Sequence, residues 1–397
     1  MQVNENLKTP YYVIDKENLD NNFNNLKSAL EKYWNNYIIG YSYKTNSLPW
    51  LIQYFDKKGC FSEVVSDDEY ELGKLLNISK NKFIYNGPIK TEDTFLEAAE
   101  NQCYINIDSY RELEWTKKLK GHYKLGIRVN FDIEKYCFNQ SQCGSEGGRF
   151  GFCYENGEFE KALNYLIAND IKISGIHLHT SSKTRSLEIY TAICDIAVQI
   201  IKKYNLNLEY IDVGGGFFGS LKDKPQYNDY LNAISKVLSQ VTSIEKTKLI
   251  VEPGMCLVGS PIDYICSVID VKDTTYNRFV ITDGSRTNID PFMKKNTYFH
   301  EYNYCNDNRK IIKKQVICGY TCMENDRFLI EEDKLELQVN DKIVFEKVGA
   351  YTMCLTPLFI KYFPDVFVLE NNNFKKVRSS WDAQQYIQNC SKEGEEN

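Results

Sequence analysis

Short apolar runs alternate with longer amphipathic ones along the first two thirds of the chain. Leu19, Phe23, Leu26 and Leu30 recur at intervals of four, three and four residues, the stripe of a helix packed on one side. The run Tyr37–Tyr43 then reads as a strand that stops at Lys44. Seven more strands are predicted at Glu63–Val65, Lys82–Tyr85, Cys103–Ile107, Lys124–Val129, Ile173–Leu178, Leu208–Val213 and Leu249–Val251. Helical spacing fills most of the gaps, as in Tyr70, Leu72, Leu75 and Leu76, or in Leu187, Ile189, Ile193 and Ile196. Eight strands separated by helix-sized segments meet the requirement of a closed (β/α)8 barrel.

After about Val268 the texture changes. Val268–Val271, Phe279–Thr282, Gln315–Cys318, Leu335–Leu337 and Lys342–Glu346 read as strands joined by turns, with only short helical candidates. The expected fold class is therefore α/β: a (β/α)8 TIM barrel over residues 16–268, and a C-terminal mostly-β domain, sandwich or barrel, over 269–397. The opening strand Tyr11–Ile14 has no place in the eightfold count and is expected to join that second domain, which then takes residues 1–15 as well. The polar ending KEGEEN reads as frayed.

Charge and cysteine usage narrow the classes of partner. Lys plus Arg number 48 against 54 Asp plus Glu, a net charge of −6 with no long basic run, which argues against nucleic acid. The opening MQVNENLKTP carries no apolar targeting segment, and nowhere do 18 uncharged apolar residues run together, so no membrane partner is expected. Thirteen cysteines, an odd number without a short repeated spacing, suit free thiols in a reducing cytoplasm.

The polar residues that punctuate the barrel region stand at strand ends: Lys44, Ser66, Asn86, Asp108, Asn130, His179, Gly214–Gly216 and Glu252. In a barrel those ends form one face, where groups from many strands meet. Lys44, in YSYKTN, is either a snorkelling strand-end lysine or an amine made reactive by dry surroundings and able to form an imine. The run DVGGGFFG is either a tight turn or a backbone cradle for an anion, and EPG at 252–254 adds a glycine after the last barrel strand. Glu252, if buried, needs a partner, either a rim cation or a protonated ring nitrogen. His177 and His179 in HLHT are expected to diverge, so no metal site is expected there; His179 is a candidate for stacking on an aromatic cofactor. Ser181 and Ser182 offer hydroxyls to a phosphate. SDDE at 66–69 reads as a capping box, with Glu63 and Glu69 as further candidates to hold the Lys44 amine. Cys322 is either a small buried hydrophobe or a proton donor, and Tyr351 either a packed ring or a phosphate donor.

Taken in order, YSYKTN, EVVSDDE, NGPIK, HLHTSS, DVGGGF, EPG, TDGS and GYTC resemble the fold-type III pyridoxal-phosphate enzymes, in particular the diaminopimelate, ornithine and arginine decarboxylases. The resemblance runs from TPYYVID at 9–15 to GAYT at 349–352. It implies that Lys44 holds pyridoxal 5'-phosphate as an imine and that His179 stacks on the ring. It also implies that Gly214, Gly215, Gly216, Gly254, Ser182 and Tyr351 surround the phosphate, that Glu252 pairs with the ring nitrogen, and that Arg128 lies near the cofactor hydroxyl. Cys322 would come from the neighbouring subunit of a homodimer with shared active sites and protonate the carbanion left by CO2.

Four positions depart from the family's pattern, one of them Ser181, which replaces the usual glycine of H-x-G-S. Met255 follows EPG where an arginine is common, Met323 stands where an acidic residue reads the far end of the substrate, and Glu324 follows it; Asp326 keeps the remaining acid of that loop. Methionine cannot accept a charge-assisted hydrogen bond as a carboxylate does. The resemblance therefore implies a decarboxylase of a small-molecule amino acid, free, conjugated or carrier-bound, rather than a routine diaminopimelate decarboxylase. An amino-acid racemase and a non-catalytic pyridoxal-phosphate-binding homologue are the alternatives.

Overall fold

Eight parallel strands close on themselves. The computed structural model describes residues 3–219 and 221–391. After β1 (Tyr11–Asp15), the ring is made of β2 (Tyr37–Ser42), β3 (Phe61–Ser66), β4 (Phe83–Ile89), β5 (Tyr104–Ile107) and β6 (Lys124–Asn130). A two-residue β7 (Phe152–Cys153) lies beside β6, and β8 (Gly175–His177), β9 (Tyr210–Asp212) and β10 (Lys248–Val251) complete the ring. Each strand pairs with the next, and β10 returns to β2 with Leu249 opposite Tyr37. All eight expected strands are present, with ends shifted by a few residues.

The interior of the ring is filled with side chains. Ile38, Ile84, Tyr104, Tyr210 and Ile250 form one buried cluster. Tyr210 is large for its layer, and two glycines make the room. Gly126, Gly175 and Tyr210 are lateral neighbours on β6, β8 and β9. A Cβ on Gly175 would stand 2.4 Å from the Tyr210 ring, and one on Gly126 would stand 2.2 Å from its hydroxyl oxygen. These glycines are there for space, because neither has a left-handed φ.

The chain separates into two compact units, one continuous from Asn22 to Leu257 and the other built from the segments on either side. The second unit carries β11 (Ile262–Asp273), β12 (Arg278–Thr282), β13 (His300–Asn303), β14 (Ile311–Cys318), β15 (Arg327–Leu335), β16 (Lys342–Phe345), β17 (Asp365–Glu370) and β18 (Asn373–Arg378). Its main path is β15-β14-β12-β11-β1-β17-β18, with β16 joining β11 to β13. The opening strand does join this sheet: β1 pairs antiparallel with β11 and parallel with β17. Tyr11, Val13, Ile265, Val344 and Phe367 form its core at that junction.

The expected strand Leu335–Leu337 needs correction. Leu335 is the last residue of β15, which runs back to Arg327. This strand lies at the sheet edge, and most of its second half is exposed, so Glu331–Lys334 masked it. The strands β13, β17 and β18 were also absent from the sequence-based expectation. The ending KEGEEN lies outside the described residues. Among the described residues, no helix is long and apolar enough to cross a membrane.

Candidate active site

Lys44 sits in a single 3-10 turn, Tyr43–Thr45, directly after β2. Its ammonium does not simply run out to solvent: Nζ pairs with Oε2 of Glu63, whose side chain is 1% exposed. The same oxygen accepts a hydrogen bond from Ser42 Oγ, and Tyr43 is fixed by a 2.8 Å contact between its hydroxyl and Ser62 Oγ. Only half of the expected capping box forms: Ser66 Oγ accepts from Glu69 N at 3.1 Å, while the Glu69 carboxylate takes the Val65 amide in place of the cap's own. Glu69 reaches back to Val65 N, and burial together with Glu63 pushes its carboxyl up to about 7, against that hydrogen bond and Lys44.

A second carboxylate stands across the mouth. Glu252, one residue past β10, is 5% exposed. Asn86 on β4 joins it to Glu63: Nδ2 donates to Glu63 Oε1 at 3.0 Å and also to Glu252 Oε1. His177 at the end of β8 and Asp212 at the end of β9 complete a buried cluster, with one ligand-type atom from each of His177, Asp212 and Glu252 within 4.8 Å of the others. His177 Nε2 lies 3.6 Å from Glu252 Oε2. Burial and the Glu252 charge push Asp212 well above the carboxylate range. Burial acts to raise Glu252 too, but His177 and Lys44 prevail and hold it low. One of the two carboxyls therefore keeps a proton while the other stays charged.

His177 and His179 do not diverge, which corrects the sequence-based expectation. Residues two apart in an extended segment face the same way, and the two rings lie nearly parallel, 18° apart, with centroids at 6.4 Å. Burial and the nearby Arg128 cation lower His179 to about 3, so its ring is neutral and suited to cover an aromatic face. Arg128 is itself held by Asp108, with Nη1 to Oδ2 at 2.9 Å, and its guanidinium lies 4.7 Å from the Phe150 ring centroid.

The glycine run forms a close backbone cup. Gly214 adopts φ 70° and Gly216 φ 98°. A Cβ on Gly214 would be 2.4 Å from His179 Nδ1, and one on Gly215 2.0 Å from the Glu252 carbonyl oxygen. Gly254 is equally tight, 2.0 Å from Thr45 Oγ1. The Gly214 amide donates to Asp212 Oδ1 at 2.9 Å, so it serves the loop itself. Ser182 Oγ accepts from Thr184 N and Arg185 N and lies 3.3 Å from Thr184 Oγ1, which itself donates to Gln140.

These barrel residues fit a phosphorylated aromatic aldehyde. Among the described residues, buried polar atoms of His177, His179, Asp212 and Arg128 have no hydrogen-bond partner, and a glycine cup stands beside a lysine already aimed at a carboxylate.

The remaining predicted residues belong to the β unit. Cys322 is an exposed thiol in the turn between β14 and β15. Asp326, at 2% exposure, is turned into that turn: its carboxylate accepts from Ser285 Oγ, Arg286 N, Thr321 N and Thr321 Oγ1. Both of its oxygens are thus engaged in holding the Cys322 loop. Glu324 pairs with Arg327 at 3.0 Å, while Met323 is half-buried. Tyr351 is exposed, with φ 56°. Sequence reasoning had not given Asn86 and Asp212 a role in the site and had overlooked Asn106 and Tyr210; their signal is a polar group at an inward strand position.

Residues 17–259 match the family model of the pyridoxal-dependent decarboxylases, pyridoxal binding domain. The chain is 26% identical over 369 residues to a diaminopimelate decarboxylase of Methanocaldococcus jannaschii, covering 88% of this chain and 84% of that one. A crystal structure of the M. jannaschii diaminopimelate decarboxylase in co-complex with L-lysine superposes with a TM-score of 0.82 at 23% identity, over 96% of this chain and 91% of the other. A lysine/ornithine decarboxylase from Vibrio vulnificus complexed with cadaverine gives 0.70 at 20% identity, over 89% and 92%. At these identities the structural likeness speaks for the fold.

Proposed function

We propose that this chain, which belongs to the pyridoxal-dependent decarboxylases, removes the α-carboxylate of a small amino acid as CO2, with Lys44 as its cofactor-bearing amine. The observation that carries the reading is the Lys44–Glu63 ion pair at the barrel mouth, beside the glycine cup and the neutral His179 ring. Bound pyridoxal phosphate supplies the electron sink for the bond that breaks.

The protein's own groups do the rest. Gly215, Gly216 and Gly254 would bring backbone within reach of the phosphate, with Ser182 as a hydroxyl partner. Glu252, held ionised, would keep a proton on the ring nitrogen, and His179 would cover one ring face. Arg128, fixed by Asp108, would offer its cation to the ring hydroxyl. Glu63 Oε2 holds the proton of Lys44 Nζ and so governs when that nitrogen is free to react. Once CO2 has left, Cys322 of the partner subunit returns a proton to the substrate's α-carbon from Sγ. The active species is accordingly a homodimer with two shared sites. The free state of all thirteen cysteines suits a reducing cytoplasm.

The distal end of the substrate is read differently from that of diaminopimelate. Met323 offers no charge to an amine, the Asp326 oxygens are occupied, and Glu324 is paired with Arg327. The substrate is then an amino acid whose far end carries no free ammonium at that position, either neutral or conjugated.

Borohydride reduction of the holoenzyme followed by peptide mass analysis tests the assignment. The reduced cofactor is expected on the peptide containing Lys44, and attachment elsewhere would overturn it. CO2 release from a panel of L- and D-amino acids, with meso-diaminopimelate included, tests the reaction. Turnover of another acid above diaminopimelate is expected; racemisation without CO2 would refute a decarboxylase.

A further inference from the structure

A line of buried polar groups crosses the barrel beneath the candidate site. Tyr210 OH donates to Asn106 Oδ1 at 2.9 Å, Asn106 Nδ2 donates to Asn86 Oδ1 at 2.8 Å, and Asn86 Nδ2 donates to both Glu63 and Glu252. The exposures of Tyr210, Asn106 and Asn86 are 0, 1 and 2%. Every donor in the line points the same way, toward the two carboxylates. Burial raises the Tyr210 phenol well above its ordinary value, so it remains a donor. Its proton fixes the Asn106 amide, and the Asn106 amide in turn forbids Asn86 from flipping its own oxygen toward the acids. The space for this arrangement is reserved by Gly126, whose Cβ would stand 2.2 Å from both Asn106 Oδ1 and Tyr210 OH.

We propose that Asn86, oriented by Asn106 and Tyr210, is a positioning residue that couples the lysine-holding carboxylate Glu63 to the ring-nitrogen carboxylate Glu252. The inference rests on the roles given above to Lys44 and Glu252. One NH2 group is shared by two buried acids that would otherwise repel each other across the mouth. It holds both carboxylates at fixed positions, so the charges that face Lys44 and the ring nitrogen are placed together. The other groups that act on these acids are accounted for. Glu63 faces Lys44 and Ser42, with Glu69 and Asp212 nearby. Glu252 faces His177, Asp212, His179 and Lys44. Arg128 acts on His179 and is itself paired with Asp108. None of these bridges the two acids with a neutral donor as Asn86 does.

Spectroscopic pH titration of the holoenzyme tests the coupling. The readout is the pH at which the visible imine band changes, recorded for the parent, Asn86→Asp, Tyr210→Phe and Lys44→Ala. Asn86→Asp keeps the shape. Ionised, it adds a charge between the acids; protonated, it has one proton to give where the amide has two. The transition is expected to move up by about one pH unit or more. Tyr210→Phe, which leaves Asn86 in place but frees its orientation, should move it the same way by less. A folded, cofactor-retaining Asn86→Asp with the parent's transition overturns the proposal. If that variant does not fold, an unmoved transition in Tyr210→Phe overturns it equally. Persistence of the band in Lys44→Ala is a separate outcome, which refutes the lysine assignment itself.

Discussion

Lys90 and Glu112 form an ion pair in which neither side chain is exposed, with Nζ 2.9 Å from Oε2. Lys90 Nζ also donates to the carbonyls of Gly87 and Asn106, so this cation ties the end of β4 to β5. Removing one partner leaves an uncompensated charge in the dry interior. Glu112→Ala is expected to lower unfolding free energy by about 3–5 kcal/mol, read as a shift in urea midpoint. The double variant Lys90→Met, Glu112→Leu should recover part of that loss. A single variant as stable as the parent would contradict the burial argument.

Gly126→Ala should be costly although its backbone is unstrained. The added methyl must displace Asn106 or Tyr210, and overpacking of this kind costs about 1–3 kcal/mol. The same variant should weaken retention of the cofactor, measured by dialysis and absorbance. Wild-type stability together with wild-type retention would show that the barrel interior repacks freely.

Glu69 makes stability depend on pH near neutrality. Its carboxyl titrates at about 7 in the folded chain against an ordinary 4.5. The folded state therefore binds the extra proton between those values, and its contribution is present below 4.5 and lost as pH rises through about 7. His179, lowered to about 3, works in the opposite sense over the lower part of that window. The difference between parent and Glu69→Gln isolates the first effect. Urea unfolding from pH 4.5 to 7.5 should show the parent losing stability relative to the variant as pH rises; parallel curves would refute it.

Cys322→Ala is expected to slow turnover by about 100- to 10,000-fold, the span typical of a lost proton donor, and to leave the visible imine band unchanged. Product formed in deuterated water should lose stereochemical fidelity at the α-carbon. Parent-like rate and product would remove Cys322 from the mechanism.

The barrel was readable because its strands are short apolar runs ending in one polar residue, as at Lys44, His179 and Glu252. Closure of the ring brought those ends together. What closure also created was not readable: Asn86, Asn106 and Tyr210 sit on three strands, and nothing local says that their side chains meet. The β unit was less legible for a different reason. In β15 the charges Glu331–Lys334 lie on an exposed edge and break the apolar alternation. The β17–β18 hairpin did carry a signal. Asn371 and Asn372, both with positive φ, form its two-residue turn, and asparagine is among the residues that tolerate this conformation.

The strand Tyr11–Asp15 lies between a strand from the middle of the chain and one from near its end. On the ribosome it emerges before either neighbour exists, while the barrel, continuous in sequence, can be completed in between. This strand must wait unpaired through the whole of that synthesis, so a nascent chain stalled before Asp365 would display an open sheet edge along Tyr11–Asp15.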